Sequence, residues 1–262
     1  MRLLNDKQRG FTLIEMSIVL IIIGLIIGGI LKGQELIESA RQKNVISQVD
    51  QIRAGVNTFF DNYKALPGDY NQATARIHAS LGDGNNDGTV GGLATNVTGL
   101  IAVNGMTASA ENREFFNHLV GANLLGGASL VPPTTALTAF AGNGVLSPLP
   151  GSAYPRSGLT VAYGIHEGAA TDGSPKQTAW LRMHTWVAGA VTGSQAAISP
   201  QRAFQMDSKY DDTLPYAGKI RTDYQVATGA AANSCGARTA TGTGYGATET
   251  QTACLMYFDA IN

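Results

Sequence analysis

KQRGFTLIEMSIVLIIIGLIIGGIL, from Lys7 to Leu31, joins a short basic leader to a predominantly apolar run of 21 residues, Phe11 to Leu31, that contains one carboxylate, Glu15. As a helix rising ~1.5 Å per residue, that run extends about 30 Å, the thickness of a bilayer's hydrocarbon core. An ordinary N-terminal membrane anchor has this length. A secretory signal peptide, with Arg2, Lys7 and Arg9 as its basic end, fits less well. Such apolar regions run only ~7–15 residues and close on a small-residue cleavage site. Here the run passes through Gly28 and Gly29 into a charged helical pattern with no such site. Neither reading accounts for Glu15. A charge near the centre of a membrane helix costs about 2.5–3.5 kcal/mol and marks a functional position by default. Glu15 lies one turn from the end of the run, where the cost is lower, but it still needs a reason.

Beyond Leu31 the helical pattern continues with a different character. Val45, Val49, Ile52, Val56, Phe59, Phe60 and Tyr63 recur at steps of four, three, four, three, one and three, one face of an amphipathic helix. Lys32, Glu35, Glu38, Arg41, Lys43, Asp50, Arg53, Asp61 and Lys64 fill the other faces. The period stops at Leu66-Pro67-Gly68-Asp69, because proline cannot donate a backbone hydrogen bond and its predecessor avoids helical dihedrals. The spacing therefore predicts one helix from Phe11 to about Lys64, 54 residues and about 80 Å long. Its second half reads as the floor of a head domain's core. Its first half has nothing in water to pack on.

Gly10-Phe11-Thr12-Leu13-Ile14-Glu15 resembles the processing site of type IV prepilins and type II secretion pseudopilins. The resemblance implies that a membrane peptidase, the prepilin peptidase, cuts between Gly10 and Phe11 on the cytoplasmic face and that Phe11 is then N-methylated. Glu15 falls at the fifth residue after the cut, where the family has its glutamate. A buried amino group and a carboxylate one turn along both need opposite charges. Subunits stacked with an axial offset supply them to each other, so Glu15 would neutralise Phe11 of a neighbouring chain. Residues 1–10 then form a cytoplasmic leader and 11–35 a transmembrane and fibre-core helix. Residues 36–65 are its amphipathic second half and 66–262 a globular head. The implied fold is α+β, a long N-terminal helix packed under a head with an antiparallel sheet.

The implied partners are further copies of this chain in a helical filament, the prepilin peptidase, an inner-membrane assembly platform and, before assembly, lipid. The implied location is the inner membrane with the head outside, then a periplasmic or extracellular filament. A pilus subunit and a pseudopilin of a type II secretion machine both fit; head size favours the first and a calcium-type loop the second. The chain departs from many type IV pilins in one respect: a proline they carry 22 residues after the cut is Lys32 here. Gly24, Gly28 and Gly29 remain as weak points of the helix or as places for close helix packing.

Charge and composition bound the rest. Without the leader's three cations and one anion, the 18 Lys+Arg and 19 Asp+Glu become 15 and 18, net −3. That balance gives no reason to expect nucleic acid as a partner. Charged residues make up only 14% of the chain and Gly numbers 32, a mix suited to long surface loops in a secreted, oligomer-forming protein. Pro67 to Asn262 is long enough for one head with its own core.

In the head, Glu111–Leu125 reads as an amphipathic helix with Phe115, Phe116, Leu119 and Val120 inward. Ser199-Pro200 opens a second helix to about Met206. Leu159–Ile165, Thr178–Val187, Lys219–Gln225 and Ala253–Phe258 read as strands, the first two joined through an Asp172-Gly173 turn. Cys235 and Cys254 suit a disulfide on a chain whose head leaves the cytoplasm, as many pilins close a C-terminal loop; unpaired thiols or half a metal site are the alternatives. The enclosed stretch has almost no core residues of its own.

Asp83-Gly84-Asn85-Asn86-Asp87-Gly88-Thr89 matches the first half of a calcium loop. Asp83, Asn85 and Asp87 offer side-chain oxygens, and Thr89 offers its carbonyl. The closing glutamate is missing, since the twelfth position is Ala94; Glu111 is the candidate to replace it, with Glu114 in reserve. Structural Ca2+ is the cation such a loop would hold, and a metal-free glycine turn is the alternative. Asp207, Asp211 and Asp212 are either a second oxygen cluster or a solvated helix end with a turn. The order of LPGD, GDGNNDG, the Glu111 helix and DSKYDD resembles one group of bacterial prepilin-like proteins. No enzyme constellation is legible: His78, His118, His166 and His184 are scattered, and HExxH, GxSxG, P-loop and CxxC patterns are missing. A membrane-anchored periplasmic hydrolase is therefore the distant alternative.

Overall fold

The computed structural model describes residues 11–91, 111–135, 137, 140–142, 146–166, 176–185, 196–215, 217–222, 235–239, 242–245 and 254–261, with 236–239 and 242–244 described by backbone alone. The leader, the Asp172-Gly173 turn and Ala94 lie outside these residues. Helix α1 runs from Leu13 to Tyr63, 51 residues, within one residue of the expected C-terminal end and two of the N-terminal end. The chain divides into two compact units, Met1–Lys43 and Asn44–Asn262.

In the first unit the apolar side chains are bare. Phe11, Leu13, Leu20, Leu25 and Leu31 are all more than 60% exposed, and so is Ile14. Among the described residues α1 is the one helix long and apolar enough to cross a membrane, by length and composition. It does not break at Gly24, Gly28 or Gly29, and a Cβ added at any of the three would meet open space. The apolar run thus buries nothing within its own chain.

The second unit has a continuous core. Val45, Val49, Ile52, Val56 and Phe59 of α1 are buried at 0–1% exposure, which is the stripe expected from the sequence. Phe60 corrects that stripe: it is 47% exposed, because a step of one residue rotates it about 100° off the face that Phe59 occupies. Lys64 ends the helix in the left-handed region at φ 56°, its amide bonded to Phe60 O at 2.8 Å.

After the short turn α2, Ala73–Arg76, comes α3, Glu111–Gly121, four residues shorter than expected. Asn123 stops it: at φ 58° its amide bonds to Val120 O at 3.0 Å, and the Leu124 amide bonds to Leu119 O at 2.8 Å. That is a Schellman ending built on asparagine, which tolerates left-handed dihedrals. Leu124 and Leu125 continue the apolar pattern in sequence and so hid the stop. Phe115, Phe116 and Leu119 are buried as expected, and Val120 is half-buried.

The strands are β1, Ser157–His166; β2, Lys176–Thr185; β3, Ile220–Thr222; β4, Gly236–Thr239; β5, Gly242–Tyr245; and β6, Met256–Asp259. The sheet runs β1-β2-β6-β3, antiparallel throughout, with Val161 opposite Leu181 and Leu181 opposite Phe258. Alternation puts Leu159, Val161, Ala179, Leu181, Met183, Met256 and Phe258 into the core with the α1 stripe. The opposite face is buried too, and carries Ala162, Trp180, Leu255 and Tyr257. Helix α4, Pro200–Tyr210, outlasts the expected end at Met206 by one turn. Strands β4 and β5 form a separate hairpin inside the disulfide loop, which their Gly and Thr residues gave no periodic signal for.

Candidate functional site

The first candidate is the start of α1. Thr12 precedes the first helical residue, and its backbone carbonyl accepts the first helical bond from Met16 N at 3.3 Å. Its hydroxyl accepts from Glu15 N at 3.3 Å, while Glu15 Oε2 accepts from Thr12 N and from Thr12 Oγ1, both at 2.8 Å. This is a capping box: a threonine and a glutamate three residues on satisfy each other's backbone amides. Glu15 therefore has a local task as well as the expected intermolecular one, and the T-x-x-E spacing was the signal for it. Phe11 is 81% exposed beside this box, and Gly10 lies outside the described residues.

The second candidate is the loop after α2, and the structure redistributes its expected ligands. Asp83 turns away: its Oδ1 accepts from Thr74 N at 2.8 Å and Thr74 Oγ1 at 3.0 Å, at the head of α2. Asp69, from the turn that ends the α1 region, takes its place. Asp69, Asp87 and Glu111 bring one oxygen each within 4.8 Å of one another. Asp69 accepts from Asp87 N at 2.9 Å and Gly88 N at 3.0 Å, and Glu111 accepts from Asn85 N at 3.0 Å and Gly91 N at 2.8 Å. Asn85 donates to Asp87 Oδ2 at 3.0 Å, and the Thr89 hydroxyl donates to Asp87 Oδ1 at 2.7 Å. Glu114 stays apart, accepting from Gly82 N at 2.9 Å and Asn117 Nδ2 at 3.1 Å.

Glycine lets these pieces meet. Gly84 packs on the backbone of Gly68 and Asp69, where a Cβ would collide, and its amide bonds to Tyr70 O at 2.9 Å. His118 is the clamp beneath: Nδ1 accepts from Gly68 N at 2.9 Å and Nε2 lies 2.8 Å from Gly82 O. Those two partners require a neutral ring, and burial pushes its pKa down. His184 is similar, pushed down to about 3 by burial and by Arg182 beside it. Burial pushes the Asp69 carboxyl up, against the Gly88 and Asp87 amides that pull it back. The Thr89 side chain and amide hold Asp87 below its ordinary value. The result is an exposed loop edge carrying three carboxylate oxygens, with no nitrogen or sulfur ligand in the cluster.

At the far end of the head, Cys235 and Cys254 form a disulfide with Cα atoms 4.9 Å apart. Asp211 and Asp212 serve the turn that follows α4. Asp211 Oδ2 accepts from Lys219 N at 2.5 Å and Ile220 N at 2.7 Å, and Asp212 Oδ1 accepts from Leu214 N at 2.9 Å. The helix end with a turn is thus the arrangement observed. Tyr245 was not foreseen: its hydroxyl donates to Asp207 Oδ2 at 2.7 Å. Residue patterning had no way to find that pair, 38 positions apart.

Residues 5–31 match the family described as the prokaryotic N-terminal methylation motif. No curated protein and no solved structure matches the chain. The match spans Gly10, Phe11, the Thr12–Glu15 capping box and the bare apolar half of α1, so the chain carries the prepilin signature of type IV pilins and pseudopilins.

Proposed function

We propose that the chain is a structural subunit of a type IV pilus-like filament. It inserts in the inner membrane through α1 with the leader inside and the head outside, is cut between Gly10 and Phe11, methylated on Phe11, and assembled through the apolar half of α1. The observation that carries this reading is the methylation motif on a helix whose first half is apolar and exposed along its whole length. In lipid or in a bundle of identical helices that surface is covered; in water it is not. Imaging of cells with and without the gene, with identification of the chain in sheared fibres, tests the reading. Fibres containing the chain are the expected result. Loss of protein secretion without any surface fibre would assign it to a pseudopilus instead.

We also propose a structural Ca2+ on Asp69, Asp87 and Glu111. Calcium–oxygen bonds are about 2.3–2.6 Å, so oxygens within 4.8 Å of one another are within reach of one ion. The all-oxygen donor set suits a hard cation and not zinc. Such an ion would tie the loop to the turn at Asp69 and to the head of α3. It would offset the mutual repulsion of the three carboxylates.

A further inference from the structure

The disulfide loop is fastened to α4 at two places. At its base, Cys254 N donates to Ile198 O at 3.0 Å and Ala197 N to Cys254 O at 2.9 Å, just ahead of the helix. At its tip, Tyr245 of β5 donates its hydroxyl to Asp207 and lies against the Phe204 ring at 5.8 Å. Asp207 is fully buried, and its other oxygen accepts from Thr213 N at 3.3 Å. The titratable groups facing it are Tyr245 from β5 and, past the end of α4, Asp211 and Asp212, with one oxygen of each aspartate within 4.8 Å. Among the described residues no ion pair reaches any of the three aspartates. A buried carboxylate beside two others, with no cation, favours its neutral form.

We propose that Asp207 and Tyr245 form a proton-operated latch that clasps the disulfide-bounded hairpin β4–β5 to α4. With the proton held, Asp207 offers Tyr245 an acceptor oxygen and carries no charge against Asp211 and Asp212. When the proton leaves, a charge is buried among like charges. Burial, reinforced by Asp212 and Asp211 and opposed by the Tyr245 hydrogen bond, raises Asp207 to about 7. An undocked Asp207, back in water, tends toward its ordinary 3.8. The docked form therefore holds the proton more tightly. Docking is strongest below about 4, weakens as pH rises toward about 7, and is level above that. Tyr245, pushed well above its ordinary value by burial, stays a donor throughout. The disulfide keeps an opened hairpin tethered, so the latch is reversible.

The test is hydrogen–deuterium exchange at Gly242–Tyr245 in the full chain in detergent, disulfide intact, from pH 5 to 9, corrected for intrinsic exchange. In wild type, protection should fall at least about tenfold between pH 5 and pH 8, since each unit of pKa displacement is worth a factor of ten. Asp207→Asn keeps the acceptor and removes the charge, and its profile should be flat. Asp212→Asn removes one repelling charge from an exposed side chain and should move the midpoint to lower pH, a test that holds even if Asp207→Asn fails to fold. The same profile in wild type and Asp207→Asn, or an unmoved midpoint in Asp212→Asn, would overturn the latch. A pH dependence seen with calcium and lost in chelator would overturn it as well, by assigning the control to a cation.

Discussion

Thr12 and Glu15 share two tasks that pull on one carboxylate. Within the chain, Glu15 closes the capping box of α1, an arrangement worth about 0.5–2 kcal/mol to a helix end. Between chains, it is the group offered to a neighbour's Phe11 amine. Glu15→Ala should leave membrane insertion unimpaired, because it removes a charge, and leave the head folded, because no head residue touches it. Filament yield should collapse, since the neighbour's buried amine loses its counter-charge; quantifying sheared fibres against membrane-bound protein checks this. The loop asks a separate question at the same scale. Calcium binding to the folded state alone should raise the melting temperature of the detergent-solubilised chain, and chelator should lower it. Asp87→Ala and Asp69→Ala should each remove the difference, whereas Asp83→Ala should keep it because Asp83 serves Thr74. Identical melts in calcium and chelator would leave a glycine turn. Asp87 and Glu111 were legible in the sequence from loop spacing and helix position. Asp69 was not, because it arrives from a turn 14 residues before Asp83, and the LPGD stretch had already been explained as a helix stop.

Among elements, α1 was the most legible because two strong patterns, an apolar run and a 3.6-residue stripe, fix its ends and its buried face. The error within it, Phe60, came from treating two adjacent aromatics as one face. It makes a sharp comparison. Phe59→Ala should destabilise the head by about 3–5 kcal/mol, as loss of a fully buried ring does, whereas Phe60→Ala should cost below about 1 kcal/mol. Chemical denaturation of both variants in the same detergent measures the gap. The four sheet strands were found but their ends shifted, because β1 and β2 extend their pairing to Ser157–Thr185 and His166–Lys176, beyond the apolar residues. The hairpin β4–β5 was missed because sequences such as Gly236–Thr239 and Gly242–Tyr245 carry no apolar alternation. Its order depends on the disulfide and on Tyr245. Reduction should therefore raise proteolytic cleavage between Cys235 and Cys254 well before α1 or the main sheet opens. A disulfide closing a loop of this size is worth on the order of 3 kcal/mol. Uniform destabilisation of the whole head on reduction would contradict that order of events.

The molecule as a whole combines two solvents' worth of sequence. Asn44–Asn262 buries its apolar stripe within its own core, while the apolar residues from Phe11 to Leu31 stay bare and need lipid or copies of themselves. That division was legible from residues 11–63 alone, since no water-soluble fold leaves 21 such residues uncovered. What the head recognises is not written in periodicity, since loops and long-range pairs such as Asp207–Tyr245 carry its chemistry. The central claim is that the chain is a processed prepilin, and the intact mass of the protein extracted from membranes tests it most directly. The expected species begins at Phe11, is one methyl group heavier than the unmodified sequence, and retains the Cys235–Cys254 disulfide. A mass for the full chain from Met1, in cells with an active prepilin peptidase, would contradict it.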